Sequence, residues 1–600
     1  KSCSTTRRSV LASGSFGAQR VLLLLFIGCA LFSGCESSKI TNERGVKQNG
    51  KASVEANVNS DISFEFTDKT RESGVAFTYA NGESCGHFSI LESLGGGVGI
   101  FDFDLDRNED LFLPGGGTFD ESPSPAGLCP GLYRNAGGWR FAGVGSLAGV
   151  SESPHYSHGA CIADYDNDGF PDVLVTGFGQ LKLWKNNGDG TFIETAHLSN
   201  VVDLKWSSSA AWGDVNDDGA VDLYVAHYVN WSFDNHPFCQ GPGPDLREVC
   251  PPRQYDGVSD LLYISNGDGT FHDGTSDWGL SPNGKGLAVL IADLDLDSDL
   301  DIYVTNDTVE NFLYENMGDR YEDVSLMSGS SVSEKGVPEG SMGVDMLDYN
   351  RDGAPDLWVV NYENESAALY ENLGHLRYRH VSQRTGVTGA GAGLFVGWGT
   401  CCFDCDMNGF DDIFVSNGHV IRYPVNSPVE QLPLLLANIN GERFENVAAK
   451  AGSYMTSVHK GRGAAMGDLD NDGAIDLVVS NNNQPVSLLR NTTKQAGQWL
   501  AVELSGRKAS RDPVGAIVTL DSGDFRQVKQ WRSGGSYAST NSRKIFFGIP
   551  VGLRPDRIEI RWPSGTVQVV DSPVPNHVLH VVESEIVDSS QGLPQHHFVQ

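Results

Sequence analysis

An acidic motif of nine residues recurs seven times along this chain of 600 residues, at intervals of roughly 50 to 80 residues. One clear copy runs Asp-Tyr-Asp-Asn-Asp-Gly-Phe-Pro-Asp from Asp164 to Asp172, and another runs Asp-Leu-Asp-Asn-Asp-Gly-Ala-Ile-Asp from Asp468 to Asp476. A short apolar, β-branched segment follows each motif, such as Val-Leu-Val after Asp172. A pattern that returns in register indicates a repeat architecture, in which every repeat is one small unit of supersecondary structure.

The spacing of the acids within each motif is suited to calcium. Ca²⁺ takes six to eight hard oxygen ligands at about 2.3–2.6 Å, and alternate residues of a tight loop can direct their oxygens to one centre. Positions 1, 3, 5 and 9 supply Asp or Asn side chains, and position 7 is placed to supply a backbone carbonyl. Glycine at position 6 permits a positive φ. The motif is not an EF-hand, because Val175 and Val479 stand where the bidentate Glu would be and a strand follows instead of a helix.

A single copy is equally well explained as a solvated, Asp-rich turn. Seven copies in register favour metal, because crowded carboxylates raise one another's pKa or loosen the loop unless a cation lies among them. We therefore predict up to seven structural Ca²⁺ ions in loops 1 to 7. The predicted ligands are Asp102, Asp104, Asp106 and Asp110 (loop 1); Asp164, Asp166, Asp168 and Asp172 (loop 2); Asp214, Asn216, Asp218 and Asp222 (loop 3); Asp293, Asp295, Asp297 and Asp301 (loop 4); Asp348, Asn350, Asp352 and Asp356 (loop 5); Asp404, Asp406, Asn408 and Asp412 (loop 6); and Asp468, Asp470, Asp472 and Asp476 (loop 7).

The seven loops are not expected to bind calcium equally well. Arg107 in loop 1 and Ser298 in loop 4 stand at position 6, where a residue other than glycine costs on the order of 1 kcal/mol. Loop 5 has fewer carboxylates and contains Arg351. We predict that loops 1 and 5 bind calcium most weakly and that loops 2 and 7 bind it most tightly.

A second motif accompanies the loops and predicts the fold. It reads Leu-Tyr-X-Asn in several copies, and two copies continue as Asn-Gly-Asp-Gly-Thr-Phe, which predicts a strand, a glycine turn and another strand. Each repeat is then a small antiparallel sheet, and such sheets bury their faces by stacking in a closed ring. The sequence thus predicts an all-β fold with a seven-bladed β-propeller over residues 61–493. Residues 64–75 resemble the end of the sixth repeat, which the seventh repeat lacks, so an N-terminal strand should complete the last blade.

The segments on either side of the predicted propeller differ from it in composition. Arg7, Arg8 and Arg20 precede a short apolar run from Val21 to Phe32, which predicts a lipoprotein-type signal peptide over residues 1–34 with lipid on Cys35. Residues 35–60 are polar and predict a flexible linker. Short apolar segments between glycine turns predict a small β-sandwich-like domain over residues 494–583, and residues 584–600 predict a disordered tail.

The acidic repeats resemble the FG-GAP/VCBS family, whose members include integrin α-chain propellers. The resemblance extends to Gly95-Gly-Gly97, to Tyr303-Val-Thr-Asn-Asp307 and to Val396-Gly-Trp-Gly399. Residues after Trp499, including Gly534-Gly-Ser-Tyr537 and Trp562-Pro-Ser-Gly565, resemble the ASPIC/UnbV domain. This resemblance implies an extracytoplasmic, calcium-binding and often adhesive protein, and it does not identify a ligand.

Charge and cysteine content narrow the function further. A net charge of −34 at pH 7 argues against binding nucleic acid or anionic lipid, so the membrane is expected to be reached only through a lipid anchor. Cys239 and Cys250 fall in one Pro/Gly-rich insertion and are predicted to form a disulfide, with Cys85 and Cys129 as a weaker candidate pair. Cys402 and Cys405 form a CxxC without a second such pair, which does not favour zinc or redox catalysis.

Two classes of function stay open at this point. The first is a binding, adhesion or scaffold module for a protein or polysaccharide, located in the cell envelope or secreted. The alternative is a polysaccharide lyase or hydrolase with a site on the propeller rim or in its central channel. No local cluster of His, Glu or Lys outside the loops supports the enzyme. Trp206, Trp231 and Tyr255 either line a sugar-binding rim or belong to the core.

Overall fold

The computed structural model describes residues 63–119, 124–151 and 155–584. The predicted signal peptide, Cys35, the linker to residue 60 and the tail from residue 585 onwards lie outside the described residues. Among the described residues, no helix has the length and apolar character that a membrane crossing requires.

Seven antiparallel sheets form most of the described part of the molecule, and we call them blades 1 to 7; six have four strands, and the sheet of blade 4 has a fifth strand, Ser533–Gly534. The first strand of each blade contacts the first strands of the two adjacent blades, and blade 7 contacts blade 1, so the sheets form a closed ring. This is the arrangement of a β-propeller, and the prediction of an all-β fold is confirmed. Each acidic loop joins the first strand of a blade to the second.

The strands of blades 1 to 6 follow one another in chain order. They are Gly99–Phe101, Asp110–Leu113, Gly131–Asn135 and Phe141–Gly143 (blade 1); Tyr156–Ala163, Asp172–Phe178, Lys182–Asn186 and Phe192–Glu194 (blade 2); Ser207–Gly213, Asp222–His227, Leu261–Ser265 and Phe271–Asp273 (blade 3); Gly286–Ala292, Asp301–Asn306, Phe312–Asn316 and Tyr321–Asp323 (blade 4); Val344–Leu347, Asp356–Val359, Ala368–Asn372 and Tyr378–His380 (blade 5); and Gly397–Phe403, Asp412–Asn417, Leu434–Ile439 and Arg443–Asn446 (blade 6).

Blade 7 is completed by the N-terminal strand. It comprises Gly461–Gly467, Asp476–Asn481, Ser487–Asn491 and, as its outer strand, Phe66–Asp68, which pairs antiparallel to Ser487–Asn491. The predicted closure is confirmed. Because the two ends of the ring are paired in one sheet, separating them would break the ladder of hydrogen bonds in that sheet.

Apolar residues that follow the loops form the contacts between the blades. The residue after the last Asp of each loop is at most 1% exposed in every blade. These residues are Leu111, Val173, Leu223, Ile302, Leu357, Ile413 and Leu477. Each acidic motif is therefore anchored at its end in the core, which fixes the direction of its side chains.

Smaller elements decorate the ring. Two further strand groups are Ala80–Asn81 with Gly116–Phe119 and Pro125–Gly127, and the hairpin Cys239–Gln240 with Arg247–Glu248. The α-helices are Thr70–Ser73 and Ser325–Ser328, and the 3₁₀ helices are Glu83–Cys85, Ile90–Ser93, Phe233–Asn235, Pro252–Gln254 and Ala448–Lys450.

Residues 497–582 form two sheets that share one apolar core. One sheet contains Gly497–Ser505, Ile545–Pro550 and Val578–Val582, and the other contains Ile517–Ser522, Phe525–Gln530, Arg557–Arg561 and Val567–Asp571. Leu500 and Phe547 of the first sheet and Val518 and Ile558 of the second belong to this core. We refer to this part as the C-terminal sandwich.

A loop of the C-terminal sandwich, residues 531–543, fills the centre of the ring, and we call it the central loop. It hydrogen-bonds to the first strand of every blade, and its strand Ser533–Gly534 pairs with Leu290 and Ile291 of blade 4. The bonded residues in blades 1 to 7 are Ile100, Ala160, Trp212, Val289, Val344, Thr400 and Met466. The place where the sequence analysis put a possible catalytic channel is thus occupied by the chain itself.

The glycine run before blade 1 makes room for the central loop. A Cβ atom on Gly97 would lie 1.5 Å from the carbonyl oxygen of Ala538, and one on Gly463 would lie 2.6 Å from the Cα of Gly97.

A buried ion pair also holds the central loop in the ring, since Arg532 Nε donates to Asp345 Oδ1 at 2.8 Å. The other carboxylate oxygen of Asp345 accepts from the backbone N–H of Cys402 at 2.7 Å.

Candidate metal centres

The first Asp of each loop closes the loop on itself. In loop 7, the two carboxylate oxygens of Asp468 accept from the backbone N–H groups of Asp472 at 3.0 Å and Gly473 at 2.9 Å. Loops 1, 3, 4, 5 and 6 repeat both bonds. In loop 2, Gly169 donates to Asp164 at 2.7 Å. These bonds hold the carboxylate of position 1 in one orientation before any ion arrives.

The last Asp of each loop ties the loop to the third strand of its own blade. Asp172 accepts from the backbone N–H of Tyr165 at position 2 and from that of Asn186 at the end of the third strand, at 3.2 and 2.7 Å. The equivalent bonds recur in the other six blades. This contact explains why the Leu-Tyr-X-Asn motif accompanies the acidic motif along the sequence.

The Asn of that second motif also joins neighbouring blades, a role that the sequence analysis missed. Asn186 Nδ2 of blade 2 donates to the position 2 carbonyl of blade 1, Phe103, at 2.8 Å. The same bond is made by Asn135, Asn316, Asn372, Asn438 and Asn491 to the preceding blade. Blade 3 has Ser265 at this position. Six of the seven contacts between adjacent blades therefore contain a buried hydrogen bond from an Asn side chain to a backbone carbonyl of the preceding acidic loop.

The carboxylates of five loops converge. In each, three acidic residues place one oxygen apiece so that the oxygens lie within 4.8 Å of one another. The groups are Asp102, Asp104 and Asp110; Asp164, Asp166 and Asp172; Asp293, Asp295 and Asp297; Asp404, Asp406 and Asp412; and Asp468, Asp470 and Asp476. In loops 3 and 5, Asn216 and Asn350 replace the acid at position 3 and donate through Nδ2 to the carboxylate at position 5.

Several oxygens inside these loops are buried without a hydrogen-bond partner among the described residues. They are Oδ1 of the position 3 acids Asp104, Asp166, Asp295 and Asp470, together with Oδ1 of Asp164. A buried carboxylate oxygen without a donor is costly, and a divalent cation at the centre of the loop would satisfy it. All the donor atoms are hard oxygens, which suits Ca²⁺ and not a softer metal such as zinc. The residues present therefore fit calcium.

Burial raises the pKa of the first and last Asp of the loops, and neighbouring carboxylates raise it further. The pKa of Asp102 is raised to about 6 and that of Asp468 to about 7. The pKa values of the last acids, Asp110 and Asp172, are raised to about 8. The predicted rise is confirmed in direction, although burial is the larger cause and mutual repulsion the smaller one. A bound cation would restore the charged forms.

The backbone of the loops is left-handed at two positions. Position 6 has a positive φ in all seven loops, including 72° at Arg107 and 88° at Ser298, as the glycine pattern predicts. Position 4 also has a positive φ, between 55° and 65°, at Leu105, Asn167, Asp217, Leu296, Arg351, Met407 and Asn471. Asn and Asp tolerate this conformation and Leu does not, so loops 2, 3 and 7 carry less backbone strain than loops 1 and 4.

A basic side chain from the third strand reaches into three of the loops. Lys185 Nζ contacts Asp166 and lies 2.9 Å from Asp168 Oδ2 in loop 2. In loop 7, Arg490 lies 2.9 Å from Asp470 and 2.8 Å from Asp472. In loop 1, Arg134 contacts Asp104 and lies 2.8 Å from Asp106. We call these residues, each of which directly precedes the Asn of the Leu-Tyr-X-Asn motif, the third-strand bases.

The other four blades have no base at this position. The equivalent residues are Ile264, Glu315, Glu371 and Ala437 in blades 3 to 6. Glu315 adds negative charge beside Asp295, whereas Glu371 pairs with Arg379 and Arg384 outside the loop. The predicted order of calcium affinities considered only the nine loop residues, and the third-strand bases add a competing cation in loops 2 and 7.

The remaining residues singled out in the sequence have structural positions. Cys239 and Cys250 are joined by a disulfide, whereas Cys85 and Cys129 are exposed free thiols, so the proposal that they pair is wrong. Cys402 and Cys405 are buried free thiols, and Cys405 Sγ donates to Asp412 Oδ2 at 2.9 Å. Trp206, Trp231 and Tyr255 are at most 6% exposed and belong to the core, so they do not form a sugar-binding rim.

Comparison with known families and proteins agrees with this architecture. An FG-GAP-like repeat model matches residues 164–225 and 293–359, and the ASPIC and UnbV model matches residues 506–587. Cartilage acidic protein 1 of Mus musculus is 23% identical over 438 residues, and that of Homo sapiens is 24% identical over 457 residues. These alignments cover 71% and 72% of this chain, and 62% and 64% of the relatives' length.

The solved structures that match this chain are distant from it in sequence and in structure. An Agrocybe aegerita lectin structure, described as recognising non-reducing terminal N-acetylglucosamine, has 15% identity and a TM-score of 0.34 over 67% of this chain and 92% of its own. The V. cholerae biofilm matrix protein Bap1 has 11% identity and a TM-score of 0.25 over 85% of this chain and 62% of its own.

Proposed function

We propose that this chain, which carries FG-GAP-like repeats and an ASPIC/UnbV domain, is an extracytoplasmic calcium-binding β-propeller. We propose further that it acts as a binding, adhesion or scaffold module for a protein or polysaccharide, and that lipid on Cys35 holds it in the cell envelope. The observation that supports calcium binding is the set of buried carboxylate oxygens that have no hydrogen-bond partner among the described residues and that recur at the centres of the loops. Among the described residues, such oxygens occur in loops 1, 2, 4 and 7, and three carboxylates converge in loops 1, 2, 4, 6 and 7.

The role of calcium in this proposal is structural. When bound, the ion balances the charge of the buried carboxylates and holds the loop in one conformation. Residues of the chain connect each loop to its surroundings, because the last Asp bonds to the third strand of its own blade and the Asn of that strand bonds to the loop of the preceding blade. A loop that is held in one conformation by the ion therefore also stabilises the contacts between neighbouring blades.

The loops also form part of the docking surface of the C-terminal sandwich. The backbone N–H of Asp164 donates to Asp512 at 2.8 Å, and that of Asp293 donates to Gln530 at 3.0 Å. In loop 6, the carbonyl of Asp406 accepts from the backbone N–H of Ala496 at 2.6 Å. The sandwich covers the end of the ring that carries the loops, so a partner is expected at the opposite end or on the outer rim.

The calcium proposal is tested with one loop variant and a matched control. Asp295→Asn removes a position 3 acid of loop 4, whereas Asp319→Asn removes an exposed acid from a hairpin of the same blade. We expect Asp295→Asn to bind less calcium and to melt at a lower temperature in calcium, with Asp319→Asn equal to the wild type. Metal content by mass spectrometry and melting by calorimetry measure both. Equal behaviour of the two variants would contradict the proposal.

A further inference from the structure

A cleft lies at the end of the ring opposite the acidic loops. It has a volume of about 530 Å³, within the range of about 300–1,000 Å³ that is usual for small-molecule sites. Three parts of the chain form it: residues 81–92 before blade 1, residues 419–422 and 428–430 between the second and third strands of blade 6, and residues 458–462 with Asn482 of blade 7. We call it the open-end cleft.

The cleft has a rigid floor. Arg462 is 2% exposed, and its guanidinium donates to the carbonyl oxygens of Ser93, Gly418 and His419 at 3.0–3.1 Å. The same guanidinium lies 4.4 Å from the ring of Trp398. One side chain therefore ties together all three parts of the chain that form the cleft. A site held in this way loses little freedom when a ligand binds.

Most of the charged groups along the wall of the cleft are paired with one another. Arg422 lies 2.9 Å from Glu83 and contacts Glu92, and Lys460 Nζ donates to Glu83 at 3.1 Å. Partial burial would raise the pKa of Glu83, but Arg422 and Lys460 together hold it below its usual value. Glu430, also on the wall, accepts from Gln484 at 3.0 Å. The network is thus assembled without a ligand.

Pairing of these charges determines what the cleft can bind. An acidic ligand would have to compete with an existing ion pair, because Arg422 and Lys460 already have carboxylate partners. A neutral ligand with many hydroxyl groups meets no such cost, since each hydroxyl can accept from spare N–H groups of Lys460 and donate to carboxylate oxygens of Glu83 or Glu430. Val429 and Val458 add apolar surface for the C–H face of such a ligand.

We propose that the open-end cleft binds an uncharged sugar residue of a glycan. This inference rests on the proposed function as a binding module, and it places the glycan at the end of the ring that the C-terminal sandwich leaves free. Arg422, Lys460 and Glu83 are the polar groups that face the sugar, with Val458 beside them.

Two substitutions to tryptophan test the assignment. Val458 lines the cleft and is 46% exposed, so Val458→Trp fills the cleft without changing the core. Val425, which is 88% exposed and does not line the cleft, supplies the control Val425→Trp. All proteins are screened in calcium on an array of uncharged and uronic-acid or sialylated oligosaccharides. The best uncharged oligosaccharide is then titrated by calorimetry.

We expect the wild type and Val425→Trp to bind uncharged oligosaccharides, and Val458→Trp to bind at least tenfold more weakly. Unchanged binding by Val458→Trp would show that the open-end cleft is not the glycan site, while leaving the proposed function intact. A preference for acidic oligosaccharides, or no binding by the wild type, would overturn the proposal that the ligand is an uncharged sugar. The calcium measurements on Asp295→Asn test the metal part of the proposed function separately. If Val458→Trp does not fold, as judged by its melting curve, Lys460→Met replaces it with the same expected loss.

Discussion

Loops 2 and 6 have the same backbone course and the same first and last acids, but they balance their negative charge differently. In loop 2, Lys185 enters from the third strand and contacts Asp166 and Asp168. In loop 6, the equivalent residue is Ala437, and Asp404, Asp406 and Asp412 are each at most 2% exposed. Loop 2 therefore has a cation from its own blade beside the acids at positions 3 and 5, whereas at loop 6 the C-terminal sandwich supplies Lys529, which pairs with Asp411 at 2.6 Å.

This difference divides the seven repeats into two groups. Loops 1, 2 and 7 have a third-strand base, and loops 3 to 6 do not. On our proposal, one repeated motif meets the same electrostatic need with a basic side chain in the first group and with a bound ion in loops 4 and 6. We expect loops 4 and 6, which have three converging carboxylates and no third-strand base, to depend most on calcium.

The largest expected effect is in loop 6. Asp406→Asn removes one of three converging, buried carboxylates, and we expect it to abolish calcium binding in that loop. At a calcium concentration 100-fold above the dissociation constant, this loss lowers the free energy of unfolding by roughly 2.7 kcal/mol. Asp470→Asn, at the same position of loop 7, should cost less than half as much because Arg490 remains as a partner for Asp472. Denaturant unfolding in calcium measures both, and equal losses would break the comparison.

The second effect is a pH dependence of the metal-free protein. The raised pKa values of the first and last acids, about 6 to 8 for Asp102, Asp468 and Asp172, exceed the value of about 3.9 in the unfolded chain. The folded state therefore binds more protons than the unfolded state between these values, so the stability contributed by these acids is fully present below about pH 4 and is lost as the pH rises to 8. In calcium, stability should instead rise with pH, because protons compete with the ion for the carboxylates at low pH. Melting temperatures with chelator and with calcium at pH 5 and 8 measure the slopes, and parallel slopes would contradict this account.

A smaller effect is expected from exchanging the character of two loops. Lys185→Met should raise the calcium affinity of loop 2 and lower the stability of the metal-free protein by about 1 kcal/mol or less, since the ion pair is partly exposed. Glu315→Lys should do the opposite in loop 4. Lys182→Met, whose nearest acid is Glu194 at 3.6 Å, and the exposed Glu322→Lys are the controls. Calcium titration by calorimetry compares the affinities of the variants with those of the controls. Identical isotherms for Lys185→Met and Lys182→Met would show that the third-strand bases do not affect calcium binding.

The smallest expected effect concerns backbone strain. Arg107→Gly places glycine at a φ of 72° in loop 1 and should stabilise the protein by up to about 1 kcal/mol, with or without calcium. Asn108→Gly, at the next position, offers no such relief and serves as the control. Thermal unfolding measures the change, and a lower melting temperature for Arg107→Gly than for Asn108→Gly would show that the arginine has a compensating contact.

The sequence predicted the features that depend on neighbouring residues in each repeat. The alternation of acids, the glycine at position 6 and the segment after Asp172 are local signals, and the structure confirms the strands and the positive φ that they indicate. Closure by Phe66–Asp68 was also predictable, because the missing end of one repeat appears as a surplus at the start of the chain.

Features that depend on distant parts of the chain were not predictable in this way. Arg532 and Asp345 are separated by 187 residues, and neither has a neighbour in sequence that indicates their pairing in the centre of the ring. The third-strand bases were overlooked because Arg134 and Lys185 are variable positions of a motif that otherwise predicts only a strand. Their role becomes visible once the fold places the third strand beside the acidic loop.

The central claim is that calcium bound among the buried carboxylates orders the loops, and most of all loops 4 and 6. Hydrogen exchange of the folded protein, measured by mass spectrometry with calcium and with chelator, tests it loop by loop. We expect the peptides covering Asp293–Asp301 and Asp404–Asp412 to lose protection from hydrogen exchange when calcium is removed, and the peptide covering Asp164–Asp172 to lose much less. Unchanged protection in all three peptides would contradict the claim.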